Sequence, residues 1–255
     1  MTAGNTGRMV RQSRLPDDSV LVLVTRPAAD AARFAAMLVQ ARRGTCVLTS
    51  PLLAPSLLPV HVPPGGLGGL VLTSGTALEV VAGLDLPPGL PAFCVGPRTA
   101  ERAAALGLAA QNAGGDAEAL LALILRLRPQ GPLWHLHGAE TRGNLSERLN
   151  SAGIETISTV CYRQEAQPLS PEAVQALVRP GRIVLPVFSP RSAQLLLAAL
   201  APLGLRATLE FAAISEASAA PLHAAGLGAI TVADRPDGPA MRDCVLRLLD
   251  RAESG

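Results

Sequence analysis

The sequence contains no lysine, because all 22 of its basic residues are arginine. Without lysine there is no Schiff-base chemistry, no lysine-bound pyridoxal phosphate and no Walker A loop. Aromatic residues make up 2% of the chain, too few for the stacking surface of a protein that binds single-stranded nucleic acid. The formal net charge of +2 is too small for a protein that coats nucleic acid. The composition therefore predicts no nucleic-acid partner.

Long apolar stretches are also missing. Ala119–Leu125, one of the longest apolar runs, has seven residues, whereas a membrane-spanning helix needs about 20. Residues 1–18 are polar and lack the apolar segment of a signal peptide, so we expect a disordered tail, in which Met9 is an alternative start to Met1. None of the four cysteines forms a CxxC pair, and their apolar surroundings predict buried, reduced thiols. We therefore expect a cytoplasmic protein with no membrane partner.

Metal and cofactor signatures are scarce as well. His135 and His137 alternate on an apparent strand and therefore share one face of it. Two histidines could begin a metal site, but no third ligand is near them in the sequence, so a polar strand face is the better interpretation. No GxSxG, HExxH or EF-hand pattern occurs, and the glycine cluster at 65–69 has neither the spacing nor the position of a dinucleotide-binding loop. The sequence predicts no metal and no cofactor.

Short apolar runs alternate along the chain with alanine-rich segments of helical pattern. Strands are predicted at Val20–Val24, Leu70–Leu72, Ala92–Val95, Leu133–His137, Arg182–Phe188, Leu209–Ile214 and Ala229–Val232, and helices at 28–43, 75–83, 97–106, 116–128, 141–152, 190–201, 216–225 and 237–251. This alternation is typical of α/β domains with parallel sheets. A chain of 255 residues is long enough for one large domain or two of ordinary size.

Two stretches interrupt the alternation. Thr45–Pro64 is rich in proline and leucine, and Glu155–Pro168 resembles a strand that ends in a polar loop. We interpret these stretches as two separate connections between domains.

An internal repeat supports two similar domains. Val95–Ala100 aligns with Ile214–Ala219, and a glycine follows the hydroxyl residue after eight positions in both copies. Earlier in each half, Leu72–Ala77 aligns with Phe188–Ala193. Each block has the pattern of a strand end, a small hydroxyl residue and a helix start, which a divergent duplication of one α/β unit would explain.

Hydroxyl residues and glycine collect where predicted strands end and helices begin. Free amide groups and the positive end of a helix favour anions at such places. Any one of these residues could equally be an ordinary helix cap. Their repetition in both halves favours an anion-binding site; they are Thr73, Ser74, Thr76, Gly96, Thr99, Ser189, Ser192, Ser215 and Ser218.

In this order and spacing, the motifs resemble the uroporphyrinogen-III synthase family, from about Val20 to Leu249. The motifs are Thr25-Arg26-Pro27, Leu72-Thr73-Ser74, Val95-Gly96-Pro97-Arg98-Thr99-Ala100, Val160-Cys161-Tyr162-Arg163, Phe188-Ser189-Pro190-Arg191-Ser192-Ala193 and Ile214-Ser215-Glu216-Ala217-Ser218. Two positions depart from the family pattern: Ser215 stands where glycine is usual, and Ser218 where threonine is usual.

The resemblance implies two similar α/β domains, with parallel sheets flanked by helices, joined by a two-stranded linker. Carried over to this chain, residues 19–43 and 168–255 would form a discontinuous domain, residues 52–154 the other domain, and residues 44–51 and 155–167 the linker strands. The implied reaction is the cyclisation of hydroxymethylbilane, a linear tetrapyrrole with an acetate and a propionate on each ring. Its last ring is inverted and water is lost, so the enzyme is a lyase that needs no cofactor or metal. A monomer with transient contact to hydroxymethylbilane synthase is also implied.

The resemblance assigns roles to particular residues. Tyr162 and Thr99 are the implied catalytic residues, with the Tyr162 phenol donating a proton or hydrogen bond to the departing hydroxyl; a merely packed tyrosine is the alternative. The implied substrate-binding residues are Arg26, Thr73, Ser74, Gly96, Ser189, Arg191, Ser192, Ser215 and Ser218. Unassisted closure gives the uninverted isomer, so the main task of the enzyme would be to hold the chain folded.

Two other functions remain open at this point. A non-catalytic sensor of the same fold could bind a tetrapyrrole or a small anion, and the changes at Ser215 and Ser218 are compatible with it. A nucleotide-dependent transferase would need a phosphate-binding or adenosine-binding motif, which the sequence does not show.

Overall fold

Residues 20–140 and 143–253 are described by a computed structural model. The predicted tail at residues 1–18, with the choice between Met1 and Met9, lies outside the described residues. The strands are β1 (Leu21–Val24), β2 (Cys46–Thr49), β3 (Leu53–Leu57), β4 (Gly69–Leu72), β5 (Pro91–Cys94), β6 (Ala109–Asn112), β7 (Leu133–Gly138), β8 (Thr156–Ala166), β9 (Arg182–Val187), β10 (Thr208–Ala213) and β11 (Ala229–Val232). The helices are α1 (Ala28–Ala41), α2 (Ala77–Val81), α3 (Pro97–Ala105), α4 (Ala117–Leu127), α5 (Leu145–Ser151), α6 (Pro171–Leu177), α7 (Pro190–Leu200), α8 (Glu216–Ala225) and α9 (Gly238–Glu253).

The chain divides into two compact units, and the first contains the described residues up to Ala54 and from Ala166 onward. Its five-stranded sheet has the order β11-β10-β9-β1-β2, and the paired strands are parallel. Leu23 packs on one face of this sheet with α6 and α7, and Val22 packs on the other face with α1 and α9. Because β1 is buried on both faces, its sequence is an unbroken apolar run.

The second unit is Pro55–Glu165, built on a six-stranded sheet with the order β3-β8-β7-β4-β5-β6. The strands from β8 to β6 pair in parallel. Leu72 and Trp134 pack on the face covered by α2 and α3, whereas Val71 and Leu133 face α4 and α5. The parallel sheets flanked by helices confirm the predicted α/β class.

The connecting segments differ from the prediction of linker strands at 44–51 and 155–167. Residues 46–49 are β2, which pairs with β1 over its whole length and so belongs to the first unit's sheet. The unit boundary falls instead after Ala54, inside β3, and after Glu165, near the end of β8. The proline content of Thr45–Pro64 favours a connection between domains, but β3 within it is an edge strand of a sheet, and an edge strand tolerates proline.

Besides β3, two elements were absent from the sequence prediction, namely β6 and α6. β6 is a four-residue edge strand with the sequence Ala-Ala-Gln-Asn, which has none of the β-branched residues typical of strands. The helix α6 did carry a signal: Ser170 caps it by accepting a hydrogen bond from Ala173 N at 3.2 Å, and Pro171 is in its first turn.

Candidate active site

In the first unit, the predicted substrate-binding residues follow the neighbouring strands β1, β9 and β10. Because these strands are parallel, their carboxyl ends lie at one edge of the sheet, where open α/β sheets bind ligands. The Arg26 guanidinium carbon lies 4.1 Å from the centroid of the Phe188 ring, and Arg26 Nη2 lies 2.8 Å from Asp30 Oδ2. Asp30 also pairs with Arg33, so the two arginines share one carboxylate.

Ser189 and Ser192 form a reciprocal cap at the start of α7. The Ser189 hydroxyl accepts a hydrogen bond from Ser192 N at 3.1 Å, and the Ser192 hydroxyl accepts one from Ser189 N at 2.9 Å. The structure thus gives both hydroxyls the capping role that the sequence left open as the alternative. Arg191 is exposed in the first turn of the same helix.

Ser215 and Ser218 are arranged in a similar way at the start of α8. Ser215 Oγ accepts a hydrogen bond from Ser218 N at 3.4 Å and lies 3.1 Å from Ser218 Oγ. Only 1% of Ser218 is exposed, so its hydroxyl faces the cap and not the solvent. In the first unit, the serine hydroxyl pairs are therefore engaged in the helix caps, Arg26 is paired with Asp30, and Arg191 is exposed.

In the second unit, Thr73 and Ser74 follow β4, and Gly96 and Thr99 lie at the start of α3 after β5. Tyr162, on β8, pairs with Gly138, the last residue of β7. The strands β8, β7, β4 and β5 are consecutive neighbours and parallel, so these residues share one edge of the sheet. The structure therefore brings together, within this unit, both predicted catalytic residues and the predicted binding residues that accompany them.

The first turn of α3 has no side-chain cap. Gly96 is its N-cap residue, with φ −145° and ψ 168°, and no side chain accepts from the first amides of the helix. Ser215 is the equivalent residue of α8 and has nearly the same backbone, φ −161° and ψ 162°, but its hydroxyl caps the helix. A Cβ built on Gly96 meets nothing within 4 Å, so what distinguishes serine at this position is the cap, not a clash. The amides of α3 are thus available to an anion in a way that those of α8 are not.

Tyr162 lies against a glycine of the neighbouring strand. A β-bulge between β7 and β8 makes Tyr162, and not Cys161, the partner of Gly138. A Cβ built on Gly138 would lie 2.7 Å from the Tyr162 ring and 2.9 Å from its hydroxyl oxygen, so the ring occupies the space of the missing side chain. Among residues 20–140 and 143–253, no group hydrogen-bonds the Tyr162 hydroxyl. The ring is packed, as in the alternative of a merely packed tyrosine, but its hydroxyl makes no hydrogen bond to the described residues.

The two hydroxyls that follow β4 have different partners. Ser74 Oγ accepts a hydrogen bond from Thr76 N at 3.2 Å, which shapes the turn into α2. Thr73 Oγ1 lies 3.4 Å from Nε2 of His135, a residue of β7. Thr73 therefore has a buried side-chain partner, which the sequence gave no reason to expect.

An arginine outside the predicted set lies beside this turn. Arg102, on α3, places its Nη1 2.9 Å from the position of a Cβ built on Gly75. It is exposed to solvent, and it lies three residues after Thr99 on the same helix. The sequence motif contains Arg98 and not Arg102, and only the fold shows that Arg102 reaches the turn after β4.

Backbone hydrogen bonds correct one part of the internal repeat. The carbonyl of Leu72 accepts from Val95 N at 3.1 Å, and the carbonyl of Val187 accepts from Ile214 N at 2.9 Å. Leu72 is therefore equivalent to Val187 and not to Phe188, with which the sequence aligned it. The correction shifts the earlier block by one residue, so that a serine stands two residues beyond the strand end in both units.

The described part of the chain, residues 20–140 and 143–253, offers few features for other chemistry. It holds no group of three histidine, cysteine or acidic residues placed to bind a metal ion. None of its helices combines the length and the apolar composition needed to cross a membrane. The cysteines are free thiols, and burial raises the pKa of Cys94 and Cys161 to about 11, but Cys46 is only partly buried, unlike the prediction.

Fold and site together define a class. Each unit is a parallel α/β layer whose carboxyl edge gathers hydroxyls, arginines or uncapped helix amides, as in α/β proteins that bind anionic small molecules.

Comparison with known proteins gives the family. The family model described as uroporphyrinogen-III synthase HemD matches residues 27–243, and the chain belongs to this family. The solved uroporphyrinogen-III synthetase of Helicobacter pylori is similar at 18% identity, covering 90% of this chain and 99% of that chain with a TM-score of 0.54, which supports the fold. A uroporphyrinogen III synthase of Thermus thermophilus matches at 20% identity over 92% of this chain and 99% of that one, with a TM-score of 0.41. No curated protein matches.

The family match confirms the resemblance found in the sequence and the synthase function that accompanies it. Nothing in the comparisons supports the non-catalytic sensor.

Proposed function

We propose that this protein converts hydroxymethylbilane into uroporphyrinogen III, with inversion of the last ring and loss of water, as a lyase without a cofactor. The family match over residues 27–243 is the observation that carries this proposal. The phenol, hydroxyls and uncapped amides at one edge of the second unit's sheet support it, because they suit a polycarboxylate whose reacting centre needs a weak acid. A cytoplasmic monomer in transient contact with hydroxymethylbilane synthase completes the proposal.

The reaction begins at the hydroxymethyl group of the substrate. The Tyr162 phenol donates its proton to the leaving hydroxyl. The lone pair of the adjacent pyrrole nitrogen expels water and leaves an electrophilic azafulvene. The free hydroxyl of Tyr162 and its packed ring support this role, since the fold fixes the ring and leaves the hydroxyl available.

Ring inversion follows from which carbon attacks. The substituted carbon of the last ring forms the new bond and gives a spiro intermediate, which fragments and recloses with that ring reversed. The final loss of a ring proton restores the aromatic pyrrole and can return a proton to Tyr162, so that water is the only other product. The enzyme contributes chiefly by holding the chain in the reactive conformation.

The substrate carboxylates are held at the sheet edges. In the second unit, Thr73, Ser74, Thr99 and the α3 amides after Gly96 supply hydrogen-bond donors. In the first unit, Arg26 and Arg191 supply charge, and arginine can bind a carboxylate through two parallel hydrogen bonds. Ser189, Ser192, Ser215 and Ser218 contribute less directly, by fixing the helix starts beside those arginines.

A coupled assay tests the proposal. Hydroxymethylbilane is generated in situ from porphobilinogen by its synthase, this protein is added, and the products are oxidised and separated into type I and type III uroporphyrin. We expect type III product in proportion to the added protein. Type I product alone from a folded sample would contradict the proposal.

Loss of the Tyr162 hydroxyl tests its role. We expect Tyr162→Phe to lower the rate of type III formation by about 10²-fold without abolishing it, because general acid catalysis has that size and the substrate keeps its own reactivity. The fluorescence of Trp134, the single tryptophan, should stay unchanged and so control for folding of the second unit. Full turnover by the variant would exclude the acid role.

A further inference from the structure

A pair of buried histidines lies beside the predicted substrate-binding edge of the second unit. The rings of His135 and His137, on β7, have their centroids 4.7 Å apart and are tilted by 38°. Less than a tenth of either residue is exposed. With Asn144, Ser146, Ser158 and neighbouring residues they line a cavity of about 240 Å³. Such buried imidazoles need hydrogen-bond partners, and those partners differ between the two rings.

His135 is bonded to hydroxyls on both sides. Its Nδ1 lies 2.8 Å from Ser146 Oγ, on α5, and its Nε2 lies 3.4 Å from Thr73 Oγ1. Thr73 belongs to the proposed substrate-binding set, so His135 joins the interior of the unit to the ligand-facing edge.

The hydrogen bonds of His137 fix the position of its proton, so His137 can serve as a reference for His135. Its Nδ1 lies 2.8 Å from the carbonyl oxygen of Gly138, which can only accept, so Nδ1 carries the hydrogen. Its Nε2 lies 2.8 Å from Ser158 Oγ. Neither partner of His137 belongs to the proposed substrate-binding set.

The proton position on His135 decides what Thr73 can offer. Burial, with a smaller contribution from the His137 ring, lowers the pKa of His135 to about 4, so the imidazole is neutral near pH 7. A neutral imidazole has one N–H. If Nε2 carries it, Thr73 accepts that N–H and keeps its own O–H for an acceptor outside. If Nδ1 carries it, Thr73 must give its O–H to Nε2 and presents only lone pairs, which repel a carboxylate.

We propose that His135 is a positioning residue, which donates from Nε2 to Thr73 and thereby directs the Thr73 O–H at a carboxylate of the tetrapyrrole substrate. Ser146 donates its O–H to Nδ1 of His135. The hydrogen bonds of Ser146, His135 and Thr73 then all point in one direction, from α5 to the sheet edge. The inference rests on the proposed function for the identity of the ligand, but the proton position on His135 does not.

The first test measures that proton position directly. Long-range ¹H–¹⁵N spectra of the ¹⁵N-labelled full chain at pH 7 distinguish the two neutral forms of each histidine, and the variants His135→Asn and His137→Asn assign the signals. We expect hydrogen on Nε2 of His135 and, as internal reference, on Nδ1 of His137. Hydrogen on Nδ1 of His135 would overturn the proposal, whether or not the protein turns over substrate.

The second test is a double-mutant cycle on kcat/KM for type III formation. His135→Asn is short enough to keep a contact with Ser146 but cannot reach Thr73, whereas His135→Gln places an amide N–H near the original Nε2. We expect His135→Asn to lower kcat/KM about tenfold, mainly through KM, and His135→Gln to retain most of it. In a Thr73→Val background, His135→Asn should cost little more, because the residue acts through Thr73.

His137→Asn is the matched control for the cycle. It disturbs the same buried pair without touching Thr73. Any fold-decrease in kcat/KM that it causes should therefore be the same with and without the Thr73→Val change. An equal loss from His135→Asn with and without the Thr73 hydroxyl would overturn the positioning role. Absence of type III product from the unaltered protein would instead refute the proposed function, and the spectra would still decide the position of the His135 proton.

Discussion

At the scale of single residues, the placement of Tyr162 depends on a neighbour with no side chain. The Tyr162 ring fills the space above Gly138, where a Cβ would lie 2.7 Å from ring carbons. We expect Gly138→Ala to push the ring aside and to lower the rate of type III formation about tenfold or more, since small displacements of a reacting group are costly. The rate is measured in the coupled assay.

Gly204→Ala is the matched control for that variant. A Cβ on Gly204 meets nothing within 4 Å, so this change should leave the rate unaltered. In a Tyr162→Phe background, Gly138→Ala should add little further loss, because the displaced hydroxyl is already absent. An undiminished rate in Gly138→Ala would show that the position of the Tyr162 ring against Gly138 does not affect catalysis.

His135 makes the stability of the second unit depend on pH. Its folded pKa, lowered to about 4, is below its ordinary value of 6.5, so the unfolded chain binds the additional proton between these values. The stabilisation by neutral His135 is complete above about pH 6.5 and declines as the pH falls toward 4. The free energy of unfolding should decrease across that window by ~3 kcal/mol at most.

Trp134 fluorescence during urea unfolding measures this effect, because the buried Trp134 indole lies on β7 and reports on the second unit. The variant His135→Gln should lose the part of the pH dependence that lies between 4 and 6.5. Other acid-sensitive groups, such as Glu118 with its pKa lowered by the Arg148 hydrogen bond, are common to both proteins. Equal pH dependence in the two proteins would contradict the assignment to His135.

At the scale of elements, the equivalent helices α3 and α8 differ in their caps. Gly96 leaves the amides of α3 uncovered, whereas Ser215 covers those of α8. We expect Gly96→Ser to stabilise the fold by a few tenths of a kcal/mol and to raise the KM for hydroxymethylbilane several-fold, since the new hydroxyl occupies an amide that binds substrate. The backbone of Gly96 already has the conformation that serine adopts at 215.

Ser215→Gly is the reciprocal variant. It should cost a few tenths of a kcal/mol of stability and leave KM unchanged or lower it. Steady-state kinetics and urea unfolding of both variants check the pair. A KM that is unchanged in Gly96→Ser, or that rises equally in both variants, would mean that the α3 amides do not bind substrate.

Sequence patterns predicted the central strands and missed two of the edge strands, β3 and β6, although the edge strand β11 was predicted. A central strand such as β1 is a continuous apolar run, which predicts a strand buried on both faces in a parallel sheet. The edge strands β2 and β3 are only partly buried and contain Pro55, so their sequences carry little strand signal.

In the candidate site, too, some features could be predicted from the sequence and others could not. Tyr162 and Thr99 are predicted because motifs mark them, and the capping of α7 by Ser189 and Ser192 was one of two interpretations of the same pattern. The contact between Thr73 and His135 joins residues 62 positions apart, so it depends on the register of β4 with β7. No local pattern in the sequence encodes such a register.

At the scale of the whole molecule, the two units offer different groups to a ligand. The second unit supplies a phenol, hydroxyls and open amides, and the first supplies arginines beside capped helices. A substrate with an acetate and a propionate on each ring offers carboxylates that suit groups of either kind.

The most direct test of the account is the amount of type III product formed per mole of protein when hydroxymethylbilane is in large excess. We predict many moles of uroporphyrinogen III for each mole of protein, with type I product reduced accordingly. A protein that binds the tetrapyrrole without turnover would form at most one equivalent and leave type I as the main product. That result would contradict the account and identify the chain as a tetrapyrrole-binding member of its family.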